Sequence, residues 1–281
     1  MPFEEINGIK IYYEIHGDDG EKGTIVLLHH GFGCTKIWKE VCPLLVENSY
    51  RVIMYDRRGY GLSEGEDGFL EFFKSDLYRP DSVAELNALM DILNCDSFHI
   101  VGQCEGGVIG VDYTVRYPDQ VKTLVISSTL CFSDKSMLEL NKELFPKPFQ
   151  ELEPELQEKL IEWHGNFAEP FYTQFCEYGG AYGKDIFDLR GVLPFVTRPT
   201  LVLYPDRSSL FGVEQGVAFY RHLPQGELSV IPYCGHNTYE YRPEEYVRNV
   251  LDFFERHKRD KRPSSSDREG FNATCIAVRK T

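Results

Sequence analysis

Cys104 is the residue best placed to do chemistry. It stands in the run IVGQCEGGVIG (100–110), with Gly102 and Gly106 two residues to either side. The apolar stretch before it is expected to be a strand, and the small residues after it to open a helix. Glycines at 102 and 106 permit a tight corner and let that helix come close to the strand. A thiol at a helix N-terminus is expected to be favoured as the thiolate, the nucleophilic form. Two more residues could complete a site: Asp206 in YPD and His236 in CGH. A histidine can take the thiol proton and return it to a leaving group, while a carboxylate holds the imidazole in the useful tautomer. All three are expected at the carboxyl ends of strands, where open parallel sheets bind their ligands.

The elements that must position them follow from the hydrophobic pattern. GIKIYYEIHG (8–17) alternates and reads as a strand, half of a hairpin with what precedes it. GTIVLLHHGFG (23–33) and YRVIMYD (50–56) are apolar runs stopped by turns, the pattern of strands buried on both faces. RPDSVAELNALMDILN (79–94) has helical spacing, with Pro80 and a capping-type Asp81 or Ser82 at its start. SFHIVG, VKTLVISST, PTLVLYPD and GELSVIPYCGH read as further strands, and PEEYVRNVLDFFERH (243–257) as a closing amphipathic helix. Strands alternating with helices predict an α/β fold with a mostly parallel central sheet flanked by helices. The alternation breaks between residues 132 and 195, which are helical, acidic and aromatic. The expected organisation is therefore a core of 1–131 and 196–257, a helical lid of 132–195, and a disordered tail of 258–281.

Thirty basic against forty-four acidic residues give a formal charge of −14, which excludes nucleic acid as the main partner because phosphates would be repelled. The N-terminus lacks a secretory pattern and no apolar run is long enough for a membrane span, so a cytoplasmic location is expected. Eight cysteines lie scattered without metal-type spacing, so they are expected to be reduced and, Cys104 apart, buried; no metal or cofactor is expected. The sequon at Asn272 would then have no meaning. Oligomeric state is not legible.

Over roughly residues 5 to 257 the chain resembles the α/β-hydrolase superfamily. HHGFG matches its HG-x-G loop, YDRRGYGLS its D-x-R-G-x-G-x-S turn, and PYCGH its histidine loop. GQCEG matches its G-x-S-x-G elbow with cysteine in place of the usual serine, and Cys104, Asp206 and His236 follow its nucleophile–acid–histidine order. The resemblance implies an oxyanion hole made by the backbone N–H groups of Phe32 and Glu105, each donor contributing roughly 3 kcal/mol. His29 and His30 are expected to brace that loop, and Arg57 and Arg58 to stabilise turns. Trp163, Phe167, Phe171, Tyr172, Phe175, Tyr178 and Tyr182 of the lid are expected to line an apolar pocket for a small-molecule hydrophobic substrate with a bulky acyl group. A thiolate exchanges readily with thioesters and attacks lactones and activated esters, whereas expelling an amine demands more of the acid step. Hydrolysis of an ester, lactone or thioester through an acyl-cysteine is therefore expected, with peptidase activity ranked low. Acyl transfer or ring closure by the same triad is the alternative. A hydrolase-fold ligand-binding protein or non-covalent catalyst is the further one.

Overall fold

The computed structural model describes residues 3–17, 20–178 and 186–258. Eight strands form the central sheet: β1 (Phe3–Ile6), β2 (Ile9–His16), β3 (Thr24–Leu28), β4 (Arg51–Tyr55), β5 (Phe98–Gln103), β6 (Val121–Ser127), β9 (Thr200–Pro205) and β10 (Gly226–Ile231). Their order is β1-β2-β4-β3-β5-β6-β9-β10. The hairpin β1/β2 is antiparallel and joins β4 antiparallel; every other neighbour pair is parallel.

Two apolar layers cover the sheet because successive side chains of a strand face opposite ways. Val26 and Leu28 of β3 pack on one face with residues of α3 (Tyr78–Ile92), α4 (Glu105–Arg116) and α8 (Val213–His222). Ile25 and Leu27 pack on the other with α1 (Val41–Glu47) and α10 (Pro243–His257). Every residue of β5 and β9 is buried, as a centre strand covered on both faces requires. Helix α3 begins at Tyr78, earlier than the pattern predicted, and Leu77 at its N-cap makes no side-chain cap. Pro80 sits in the first turn, where its missing N–H has no helical partner to lose. Asp81 and Ser82 therefore lie inside the helix and do not cap it.

A short α2 (Phe69–Lys74) follows β4. Between β6 and β9 the chain leaves the sheet for α5 (Met137–Leu144), α6 (Pro154–His164) and α7 (Ala168–Tyr178). A two-stranded ribbon of β7 (Phe132–Ser136) and β8 (Ile186–Asp188) closes the neck of this excursion, an element the sequence pattern did not suggest. Tyr182, the tail beyond residue 258 and the sequon lie outside the described residues, as does the side chain of Tyr178. Among the described residues no helix is long and apolar enough to cross a membrane, and no group of three or more His, Cys, Asp or Glu side chains is arranged to hold a metal ion.

Candidate active site

Cys104 links β5 to α4 at φ 51° and ψ −115°, a positive φ that non-glycine residues rarely adopt. Neighbouring backbone holds it there. Its N–H donates to the Ser127 carbonyl of β6 at 2.8 Å, and the Gly107 N–H donates to its own carbonyl at 3.0 Å. A Cβ at Gly106 would overlap the Leu28 and His29 carbonyls, so the helix can reach the strand only with glycine there.

The thiol is in a different electrostatic state from the one expected. Burial first, and then the neighbouring Glu105 carboxylate, push Cys104 up to about 12. The backbone N–H groups of Glu105 and Gly31 favour the thiolate but are outweighed. Glu105 is itself buried, accepting from Arg57 Nη2 at 2.9 Å and from the Tyr60 hydroxyl at 3.1 Å. Arg57 also donates to the His29 and His30 carbonyls. It thus ties the loop before the elbow to the helix after it, beyond stabilising a turn.

The loop His30–Gly33 carries one difference from the expected oxyanion donors. The Phe32 N–H donates to His30 Nδ1 at 3.1 Å and is occupied within its own loop. The Gly31 N–H, with that of Glu105, is the one directed at the Cys104 sulfur. His30 completes the brace by pairing its Nε2 with the Tyr239 hydroxyl at 3.0 Å. Its acceptor role at Nδ1 fits a neutral ring, and burial lowers it to about 3.

His164 of the lid was not anticipated, and it bridges two site loops. Its Nδ1 accepts from the Gly61 N–H at 3.1 Å, and its Nε2 donates to the Phe32 carbonyl at 2.9 Å. Its ring stacks on Phe171 at 4.3 Å. Only the composition EWHGN, a polar ring between an apolar helix face and a glycine, hinted at it.

His236 lies at the start of the loop that enters α9 (Thr238–Tyr241). Its carbonyl accepts from Gln103 Nε2 at 3.0 Å and Ser128 Oγ at 2.7 Å, so the residues flanking the elbow also fix the histidine backbone. Its Nδ1 lies 3.2 Å from Ser208 Oγ. Burial lowers its pKa to about 4. No hydrogen bond joins it to Cys104, although both face one cavity.

Asp206 is not brought to His236. Its Oδ1 accepts from the Cys234 N–H at 3.1 Å, and its side chain is 32% exposed beside Arg207. Desolvation alone would raise its pKa, but the N–H groups of Cys234 and Tyr233 and the Arg207 charge hold it low. Asp206 therefore clamps the loop after β9 to the loop after β10. The place from which a carboxylate would orient the imidazole is held by Ser208.

The shared cavity has a volume of about 440 Å³. Trp163, Tyr172 and Phe175 of the lid line it together with Phe32, Val108 and Phe211, while Glu153, Glu155, Lys159 and Glu240 add charge. Phe167 and Phe171 do not line it. They pack with Tyr60 and Phe69 in a separate aromatic cluster, where Phe171 is fully buried. Their spacing along the lid helices could not say which aromatic turned toward ligand and which toward core.

A family model described as the alpha/beta hydrolase fold matches residues 23–179. A proline iminopeptidase of Lactobacillus helveticus is 29% identical over 230 residues, covering 81% of this chain and 72% of that protein. Among solved structures, an enol-lactonase from Burkholderia xenovorans superposes with a TM-score of 0.71 at 20% identity, covering 90% of this chain and 100% of the other. An esterase from Exiguobacterium antarcticum gives 0.73 at 19% identity, with 90% and 98% covered.

Proposed function

Because the chain belongs to the alpha/beta hydrolase fold family, we propose that it hydrolyses an activated ester, lactone or thioester of a hydrophobic acyl group through an acyl-Cys104 intermediate. The observation that carries this reading is the thiol itself: it sits at the apex of a strained corner, facing an apolar cavity. The acyl carbonyl oxygen would lie against the N–H groups of Glu105 and Gly31, which already face the sulfur. The sulfur adds to that carbonyl, and its proton leaves to His236 or solvent. The tetrahedral adduct then collapses to an acyl thioester as the alcohol or thiol departs with a proton. Water cleaves the thioester to free acid and restores the thiol.

The leaving group decides the substrate class. A neutral thiol facing an imidazole with no carboxylate behind it is a weak acid–base pair. Thiolates, enolates and aryloxides leave without much help, whereas an amine must be protonated as it goes. Esters and thioesters therefore suit this site better than the peptide bond named for the Lactobacillus relative.

One observation favours a second reading. Ser208 in place of an orienting carboxylate leaves a site that could bind a hydrophobic ligand without covalent chemistry. Intact-protein mass spectrometry separates the two after exposure to p-nitrophenyl esters, lactones and acyl thioesters. An acyl adduct that vanishes in Cys104→Ala is the expected result. Adducts that persist in that variant, or none across the panel, would remove the acyl-cysteine reading.

A further inference from the structure

Ser208 does more than fill the space of an acid. Its Oγ accepts from the backbone N–H of Leu210 at 3.2 Å and of Phe211 at 3.1 Å. A hydroxyl oxygen has two acceptor lone pairs and one proton. With both lone pairs engaged, what Ser208 has left to offer His236 Nδ1, 3.2 Å away, is its proton. We propose that Ser208 is the positioning residue of His236 and donates to Nδ1, so that the resting neutral ring carries its own proton on Nε2. The ring nitrogens are distinct, and the partner of one sets the state of the other.

This is the reverse of the arrangement a carboxylate imposes. A carboxylate only accepts, so it draws the proton to Nδ1 and leaves Nε2 bare as a base. Among the described residues Nε2 has no hydrogen-bond partner, and it presents a donor suited to a ligand carbonyl or to the oxygen or sulfur of a leaving group. Two features keep the ring from turning to find another partner. Its carbonyl is anchored by Gln103 and Ser128, and its edge packs on Phe211 with ring centres 5.5 Å apart. No hydrogen bond or ion pair joins Asp206 to the ring, its carboxylate being turned to the N–H groups of Cys234 and Tyr233.

The consequence for catalysis rests on the acyl-cysteine reading. Before His236 can take the thiol proton, its own proton must leave Nε2 to solvent and another must arrive at Nδ1. Ser208 must then turn its O–H away, accept from Nδ1 and release Leu210 or Phe211. Activation of Cys104 is therefore coupled to the turn 208–211.

Long-range ¹H–¹⁵N correlation spectra of the full chain, labelled at histidine and assigned with His236→Gln, read the tautomer directly without any substrate. The expected wild-type spectrum shows a protonated Nε2 and a bare Nδ1. Ser208→Ala, which removes the donor, should move the ring toward a mixture. Ser208→Asp should switch it to the Nδ1–H form and raise the rate at which iodoacetamide alkylates Cys104 at neutral pH by about tenfold or more, since the wrong tautomer costs a triad up to roughly 10⁴. That gain should vanish in the double variant with His236→Gln. A wild-type ring protonated on Nδ1 would overturn the proposal, and so would a tautomer unmoved in Ser208→Ala. The first two spectra decide the matter even where Ser208→Asp does not fold. The acyl adduct is a separate readout, so failure of one proposal does not carry the other with it.

Discussion

The elbow at Cys104 and the loop after β9 face the same cavity, yet they are specified by different forces. The elbow is held by contacts between backbone atoms: the Ser127 carbonyl on one side, the Leu28 and His29 carbonyls pressing on Gly106 on the other. Few side chains could be exchanged there without moving the main chain. The loop 206–211 is held by side-chain hydrogen bonds: Asp206 accepts from the Cys234 N–H, and Ser208 accepts from the N–H groups of Leu210 and Phe211 and pairs with His236 Nδ1. The shape of such a loop depends on which polar side chains it carries. The corner is thus a steric object, whereas the partner of the histidine is a choice of hydrogen-bonding group.

Three substitutions sharpen that contrast. The largest effect is expected at Glu105→Gln, which leaves the buried Arg57 guanidinium without its counter-charge and should cost about 3–5 kcal/mol in urea unfolding. The same change removes a negative charge that raises the thiol pKa. The pH profile of Cys104 alkylation should therefore move to lower pH; a profile that stays in place would leave burial as the only cause. Gly106→Ala comes next. Its Cβ meets main-chain carbonyls that cannot swing aside, and a loss of about 3 kcal/mol is expected. A neutral result would mean that the corner is not sterically specified after all. The smallest effect belongs to Asp206→Ala. Esters should acylate its Cys104 within about threefold of the wild-type rate, whereas loss of an orienting triad carboxylate costs about 10⁴. A drop of that size would return Asp206 to the site and take Ser208 out of it.

Local pattern made the elbow legible. Two glycines around a polar residue between an apolar run and a helix have few other uses, and the corner needs no distant partner to be recognised. The loop of residues 29–33 was half legible: HHGFG marked the place, but whether Gly31 or Phe32 turns its N–H to the sulfur depends on His30 capturing the Phe32 donor. The group beside His236 was not legible for a similar reason. Asp206 and Ser208 stand two residues apart in one loop, and residue type favoured the carboxylate. Which of them meets His236 was decided by the Cys234 N–H, which belongs to another strand's loop. The thiol's charge state failed on the same ground. The helix N-terminus was visible in the sequence, but the burial around Cys104 was not. Phe171 and Tyr172 are sequence neighbours sent to different clusters, and only the packing of the lid separates them.

By itself, then, the sequence determined the features that depend on chain neighbours. These are the alternation of strands and helices, the glycine corner, and the order of Cys104, Asp206 and His236 along the chain. Tertiary structure decided the features that depend on who arrives from elsewhere. Arg57 comes from the turn after β4 to pair Glu105, His164 descends from the lid to join Gly61 and Phe32, and Ser208 meets His236. Backbone conformation is governed by sterics within a few residues. A proton's position and a thiol's pKa answer to charges and hydrogen bonds delivered across the fold.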